Sequence, residues 1–523
     1  MAAAISFGLS PVWWSQATIA EVYALHALWL VGLLSLAIGV NHTLPSSADG
    51  GEASTQTFDR RMTALWFVVG LGLAHHRTAL LVLPGLLLYL LWSVPGLWRP
   101  RGIWFVWAAA LLAPLLLYLF IPLRASMGVV DLNGSYEATV RGFFNHVLAS
   151  SYTGFLESNP LAVARTPTDW LWIGVRQFGL LGFGLGVMGL VWLVDRQRRL
   201  AKAWVFILVV LLTNLLFALN YRVADVEVFL LPVFLCGSIF IGGGVGFVAR
   251  LANRWPAVAR LLQAALLLLL VGGASGRAPL LNRSQLWAKH DLAVSIAEMT
   301  FPPQSHLVAL EGEVTAIRYL QQAEGMAPEL TTLAVNDPAQ RRQVVASLLE
   351  QGKAVYLTRE VQGIQSDYSF SGEGPLVRVW PRGDTGPSQN PEHPLDLSLA
   401  EDALRLEGYD LAWEERRAGR ALKLTLYWRP LQLLESSYKV SLRMLDGVGN
   451  PIRRANRERV VEDRYPLIKV AEMPDWAPGA QVRDVQVVEG VPRSVSPALL
   501  QVIVYDAATG EVAATVDIDV ADP

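Results

Sequence analysis

The chain has 523 residues, 53% of them hydrophobic and 17% charged, with a formal net charge of -2. That length suits about three or four domain-sized units, and so small a net charge gives no footprint for nucleic-acid binding. A single cysteine, Cys236, excludes an internal disulfide and any cysteine-based metal site.

Up to about Ser275 the chain runs in long stretches of Leu, Val, Gly and Trp; beyond it charges recur every few residues. Residues 1–9 are apolar but too short to cross a bilayer, and no basic segment precedes them. They read as the last turns of a helix whose beginning is absent, against the alternative of a signal peptide. A hydrocarbon core needs about 20 apolar residues in helical form, because every backbone polar group must be satisfied inside the segment. About eight spans are expected: 17–40, 63–74, 78–93, 103–123, 171–194, 203–219, 228–249 and 261–275. Between the second and third stand only His75, His76 and Arg77, so these two form either a tight hairpin or one broken helix. Only the hairpin keeps the charges consistent. Arg60/Arg61, Arg99/Arg101, the Arg-rich stretch 196–202 and Arg250/Arg254/Arg260 then fall in alternate loops, as basic residues do on the cytoplasmic side. Trp98, Trp104, Trp170, Trp172 and Trp204 sit near span ends, where interfacial aromatics collect. The same topology puts the 124–170 loop, the 220–227 loop and everything after Ser275 outside.

Residues 282–381 alternate helical and strand periodicity, with helices near 285–299, 314–323 and 338–350 and strands near 305–310, 330–335 and 354–358. This is the pattern of a small α/β layer, with parallel strands expected. No glycine-rich phosphate loop follows its strands. Residues 382–396 are rich in Pro, Gly and polar side chains and read as a linker; the Arg382-Gly-Asp triplet there is taken as chance. Residues 397–523 alternate apolar and polar positions over several short strands, the pattern of a β-sandwich. Trp413, Trp428 and Trp476 would be sugar-stacking surfaces if exposed, and structural tryptophans otherwise.

Ionisable residues in or beside spans are costly and often functional. Glu21 is expected one turn into the first full span, sharing a face with Leu25 and close to His26; its plainer role is to complement the helix dipole. His76 and Arg77 fall at the tip of the expected hairpin, where adjacent histidines lack metal-site spacing but Arg77 suits a phosphate. Arg124 closes the fourth span, either as part of a site or as a snorkelling interfacial arginine. The 220–227 loop carries Arg222, Asp225 and Glu227.

The segment Trp14-Ser-Gln-Ala-Thr-Ile-Ala-Glu-Val-Tyr-Ala-Leu-His-Ala-Leu resembles the "WSQA…AEVYxLHAL" stretch of a family of multi-pass proteins, long described as of unknown function. That family is grouped with transmembrane protein O-mannosyltransferases of the GT-C glycosyltransferase class. Gly72-Leu-Ala-His-His-Arg-Thr is similar to its "GNHxT" segment, with His75 where the family has Asn. Ile121-Pro-Leu-Arg-Ala resembles its "PLRA" span end, and Asn220-Tyr-Arg-Val-Ala-Asp its "NYNxxD" loop. The resemblance spans roughly residues 10–232. It implies a GT-C-like helical bundle in residues 1–281, followed by the α/β layer and the sandwich on the extracytoplasmic side of a bacterial plasma membrane. It also implies a polyprenyl-phosphate sugar as donor and a protein or envelope glycan as acceptor. Glu21, Tyr23, His26, His76, Arg77, Arg124 and Asp225 carry over as site-lining residues. The family's early "GDSGE"-like acidic segment, where the catalytic base is expected, has no counterpart here, so the base is not assigned. The class includes metal-dependent and metal-free enzymes, and no ligand set in this sequence decides between them. The competing readings are a non-catalytic membrane scaffold or glycan-binding protein and, third, a transporter, for which the sequence lacks internal repeats.

Overall fold

The computed structural model describes residues 1–41, 52–94, 96–97, 102–129, 136–156, 163–196, 198–284, 287–417, 419–454 and 458–520. Trp98, Arg99, Arg101 and the start of the helix expected from residue 285 lie outside them. The chain divides into two compact units, the first from residues 1–282 apart from 132–134, the second from residues 283–523.

In the first unit the short helices α1 (Ala2–Gly8) and α2 (Pro11–Ala17) precede α3 (Tyr23–Asn41) and α4 (Glu52–His75). A 3-10 turn, Arg77–Val82, leads into α5 (Leu83–Ser93). Helix α6 (Trp104–Leu112) passes through a 3-10 stretch, Ala113–Leu119, into α7 (Phe120–Ser126); Pro114, lacking an N–H, sits at the start of that tighter stretch. The small helices α8 (Val140–Val147) and α9 (Ser150–Thr153) follow. Then come α10 (Pro167–Arg196), α11 (Arg198–Asn220), a 3-10 turn Val226–Leu230, α12 (Leu231–Leu251), α13 (Pro256–Ser275) and α14 (Ala278–Leu281). Gly179, at φ 71°, interrupts α10, a conformation open to glycine because it has no Cβ.

Among the described residues six segments are long and apolar enough to cross a membrane: Tyr23–Val40, Trp104–Ser126, Pro167–Trp192, Ala201–Asn220, Val226–Leu251 and Pro256–Ser275. Arg77–Ser93 is apolar but shorter. The expected eight thus become six plus a pair. The first half of α4 carries Asp59, Arg60 and Arg61, and the second leg of the pair is short. The pair is nonetheless a hairpin. Helix α4 runs antiparallel to α3, since Arg61 donates to Gly39 O (2.8 Å) and Trp29 Nε1 to Val68 O (2.6 Å). The second leg runs antiparallel to α11, with Thr213 Oγ1 donating to Leu81 O (2.6 Å) and Lys202 Nζ to Trp92 O (2.8 Å). Tyr118 Oη donates to Leu73 O (2.7 Å), so the 3-10 stretch that leads into α7 meets the end of α4. Arg277 donates to Arg176 O (2.8 Å), so α13 ends near the start of α10. Glycines let α10 and α12 run side by side at backbone contact: a Cβ at Gly189 would lie 1.9 Å from Phe240 O. Arg61 and Lys202 belong to one end of the bundle; residues 21–26, 75–78, 118–124, 165–177 and 220–229 belong to the other.

One structural correction concerns Glu21. The helix expected from residue 17 begins at Tyr23: α2 ends at Ala17, and Glu21 N donates to Ile19 O (2.9 Å) in the turn between them. Glu21 therefore lies in the exposed turn before α3, not inside an apolar helix.

In the second unit α15 (Ala288–Ala297) precedes β1 (Ser305–Ala309), α16 (Glu311–Glu324), β2 (Leu330–Ala334), α17 (Pro338–Glu350), β3 (Ala354–Leu357), β4 (Tyr368–Glu373) and β5 (Leu376–Pro381). The five strands order as β2-β1-β3-β5-β4. β1 is parallel to β2 and β3, while the β4–β5 hairpin adds an antiparallel edge that the sequence pattern did not suggest. Strands β6 (His393–Leu399), β7 (Leu404–Arg416), β8 (Gly419–Pro430), β9 (Tyr438–Leu445), β10 (Val461–Arg464), β11 (Val482–Val491), β12 (Leu499–Asp506) and β13 (Val512–Asp519) build two antiparallel sheets, β11-β8-β7-β6 and β10-β9-β12-β13. Alternate residues Leu422, Leu424, Leu426 and Trp428 of β8 are buried, as a strand facing a sandwich core requires. Val361, Ile364 and Phe370 belong to the same apolar cluster as these residues, so the layer and the sandwich share one core. Residues 382–396, read as a linker, are tied down: Thr385 Oγ1 donates to Gln481 O (2.6 Å), Gln389 N to Gln481 Oε1 (2.8 Å), and β6 starts at His393. Their glycines serve turns, with Gly383 and Gly386 at positive φ. Trp428 (0% exposed) and Trp476 (3%) are core residues, which removes them as sugar platforms. Arg420 covers the ring of Trp413 at 4.8 Å.

Candidate functional site at one end of the helical bundle

Three histidines meet where α3 begins and α4 ends. His26 is 3% exposed and stacks on Trp29 at 5.0 Å. Its ring lies 5.0 Å from His76 and 6.1 Å from His75. Thr78 joins two of them: its Oγ1 is 2.7 Å from His76 Nδ1 and 3.2 Å from His26 Nε2. The Thr78 amide also donates to His76 Nδ1 (3.3 Å), so His76 acts as the cap of the 3-10 turn that follows. His75 Nε2 lies 3.2 Å from Val22 O and fastens the end of α4 to the start of α3. Burial, with His75 and Arg77 adding to it, pushes the His76 imidazole down to about 4. With their nitrogens directed at a hydroxyl and a carbonyl, the rings do not converge on one point. Among the described residues no group of three or more His, Cys, Asp or Glu side chains is placed to hold a metal ion.

Tyr23 links this cluster to the 220–229 segment. Its ring is 5.8 Å from His76 and 5.7 Å from Phe229. A small cavity opens among Tyr23, His26, His76, Thr78, Phe229 and Pro232. Behind it Tyr221 packs on Phe229 (4.9 Å) and Phe155 (6.0 Å), and Arg222 N donates to Phe155 O (2.9 Å). Arg165 holds the Asp225 turn in place. It donates to Val223 O (3.3 Å) and Ala224 O (2.6 Å), and lies 3.7 Å from Glu227 with its side chain 12% exposed.

The structure thus brings Tyr23, His26, His76 and Thr78 together; Glu21 lies in the exposed turn two residues before Tyr23, and Asp225 precedes the 3-10 turn that carries Phe229. Arg77 stands beside them with its guanidinium donating to Val147 O. Arg124 is at the same end of the bundle but outside this contact set. It packs over Phe120 of its own helix at 5.9 Å and follows Tyr118 by six residues, roughly 9 Å along a helix axis. Thr78 and Arg165 were not picked out from sequence. Thr78 had a signal, since it stands two residues after His76 at a helix start. Arg165 had none, because its partners are backbone carbonyls about sixty residues away.

Residues 1–97 match the family model described as Protein O-mannosyl-transferase TMEM260 N-terminal domain, which bears out the resemblance read from the Trp14 and Gly72 segments. Among solved structures, ArnT from Cupriavidus metallidurans in the apo state is similar, with a TM-score of 0.45 and 14% identity, covering 72% of this chain and 78% of that one. No curated protein sequence matches the chain.

Proposed function

We propose that this chain is a GT-C-type membrane glycosyltransferase, or a fragment of one, that moves a sugar from a polyprenyl-phosphate donor to a protein or envelope glycan. The observation that carries this reading is that the segment similar to the O-mannosyl-transferase family, residues 1–97, supplies Tyr23, His26 and His76 to one cluster, with Arg77 next in sequence to His76 and Glu21 in the turn before Tyr23. In the reaction an acceptor hydroxyl oxygen bonds the anomeric carbon as the bond from that carbon to the phosphate oxygen breaks. The hydroxyl proton passes to a carboxylate, and the polyprenyl phosphate leaves with the electron pair. Arg77 and Arg124 suit the departing phosphate in charge and planar geometry. Asp225 and Glu21 are the carboxylates at this end of the bundle, while the acidic segment expected from the resemblance has no match in this chain.

The cluster faces the extracytoplasmic side of a bacterial plasma membrane in this reading, because Arg61 and Lys202 belong to the opposite end and basic residues collect in the cytoplasm. The charge pattern of the loops supports the same side of the membrane for residues 283–523. The test is transfer from radiolabelled polyprenyl-phosphate sugars in membranes carrying the protein. Glu21→Ala and Arg124→Ala should each lower transfer at least tenfold, the scale of losing one transition-state contact. Transfer unchanged in both variants would remove the site assignment, and binding of glycans without any transfer would favour the receptor reading.

A further inference from the structure

We propose that Thr78 and His26 are positioning residues that hold His76 in one neutral tautomer, so that its Nε2–H is a fixed hydrogen-bond donor at the cavity. The catalytic meaning of this device rests on the transferase reading; the tautomer itself does not.

The direction of the chain follows from which groups can only donate. A backbone amide donates and never accepts, and the Thr78 amide lies 3.3 Å from His76 Nδ1. That nitrogen therefore carries a lone pair. The Thr78 hydroxyl, 2.7 Å from the same atom, must turn its proton towards it. A hydroxyl has one proton, so Thr78 Oγ1 accepts from its other neighbour, His26 Nε2, at 3.2 Å. The order is His26 Nε2–H to Thr78 Oγ1, then Thr78 Oγ1–H to His76 Nδ1. The reverse order would set an Nδ1–H of His76 against the amide N–H, two donors face to face. A neutral imidazole has one ring N–H, so in His76 it must be on Nε2, the edge away from Thr78.

The surroundings of His26 agree with this order. Its Nδ1 is buried with no hydrogen-bond partner. With the proton on Nε2, no N–H is stranded there, and stranded N–H groups are the rarer fault in folded proteins. His75 does not compete, because its Nε2 faces the Val22 carbonyl, which can only accept. His76, His26 and Thr78 all line the cavity with Tyr23. On the transferase reading, the acceptor for the His76 Nε2–H would be a phosphate or sugar oxygen of the donor. A donor of fixed direction costs no reorientation when charge grows on that oxygen.

The experiment is 15N NMR of the full chain in lipid nanodiscs with ring-labelled histidine, the His76 signals being assigned by their loss in His76→Asn. At pH 7 the unsubstituted chain should show His76 with a protonated Nε2 and an unprotonated Nδ1. Thr78→Ser should keep that pattern, and Thr78→Val should give a mixture of tautomers. A charged His76, a protonated Nδ1, or a pattern untouched by Thr78→Val overturns the inference. With an active preparation, Thr78→Val should lower kcat about tenfold with KM little changed, and Thr78→Ser should restore it. A fixed tautomer without any transfer sinks the transferase reading alone; transfer with a mobile tautomer sinks this inference alone.

Discussion

The contact between α10 and α12 makes a prediction that the geometry itself scales. A Cβ added at Gly189 would lie 1.9 Å from Phe240 O and 2.6 Å from Gly244 N; one added at Gly244 would lie 2.1 Å from Leu185 O. An unstrained carbon–oxygen contact is about 3.3 Å or longer, so alanine at either site overlaps backbone by more than about 1 Å. Backbone cannot swing aside as a side chain can, so the helices must part by a similar distance. A gap of about 0.5–1 Å forfeits a quarter to a half of each dispersion contact along the seam. Inside a bilayer that packing, with no hydrophobic effect behind it, is what holds helices together. Gly189→Ala and Gly244→Ala should therefore each cost about 3 kcal/mol, at the upper end for overpacking. Gly186→Ala is the internal control, because its Cβ would meet Ile241 Cγ1 at 3.4 Å and Gly237 O at 3.9 Å, ordinary contacts. The assay is reversible unfolding of the three variants in detergent, followed by tryptophan fluorescence. The same displacement should reach the cavity, since α12 begins with its wall residues Leu231, Pro232 and Leu235. Equal stability of Gly186→Ala and Gly189→Ala would refute the close approach of these helices.

Two further predictions concern single polar groups. Asp484 is fully buried, accepts from Leu467 N and Gln486 Nε2 at 2.8 Å each, and burial pushes its carboxyl up to about 6 from 3.8. The folded state then binds the proton more readily than the unfolded one. Stability of the second unit should fall as pH rises through that window, by about 3 kcal/mol at roughly 1.4 kcal/mol per unit. Asp484→Asn should flatten the dependence in thermal unfolding between pH 4.5 and 7.5, with the Gln486 amide turning to suit, and a midpoint that rises with pH in the parent would contradict the argument. Arg165→Ala should release the Asp225 turn, with about 2 kcal/mol of lost hydrogen-exchange protection over residues 223–227; unchanged exchange there would show that the guanidinium does not hold the turn.

Much of the first unit was legible because long apolar runs leave the chain few choices in a bilayer. The hairpin at His75–Arg77 followed from charge alone: only a turn there kept the basic loops on alternate sides. What sequence misjudged was local termination. A turn over residues 18–22, with Glu21 N donating to Ile19 O, separates α2 from α3 and takes Glu21 off the helix face. In the second unit, period-two alternation marked the strands of the sandwich. It did not mark the β4–β5 hairpin, where Ser369 and Ser371 are buried with Phe370 and blur the alternation. Glycine and proline between residues 382 and 396 mimic a linker, although the segment is anchored by side chains whose partners are a hundred residues away. Arg165 was invisible for the same reason: side chain to carbonyl pairings leave no trace in spacing.

The account depends most on Glu21, Arg124 and Asp225 reaching the same rim of the membrane, with Arg61 and Lys202 at the other. Single cysteine variants, Glu21→Cys, Arg124→Cys, Asp225→Cys, Arg61→Cys and Lys202→Cys, can be probed in intact cells and in inverted vesicles with a membrane-impermeant maleimide. The buried native thiol of Cys236 should stay silent in both. The first three should label only from outside and the last two only from the inverted face. Labelling of Glu21→Cys and Arg124→Cys from opposite faces would contradict the site outright.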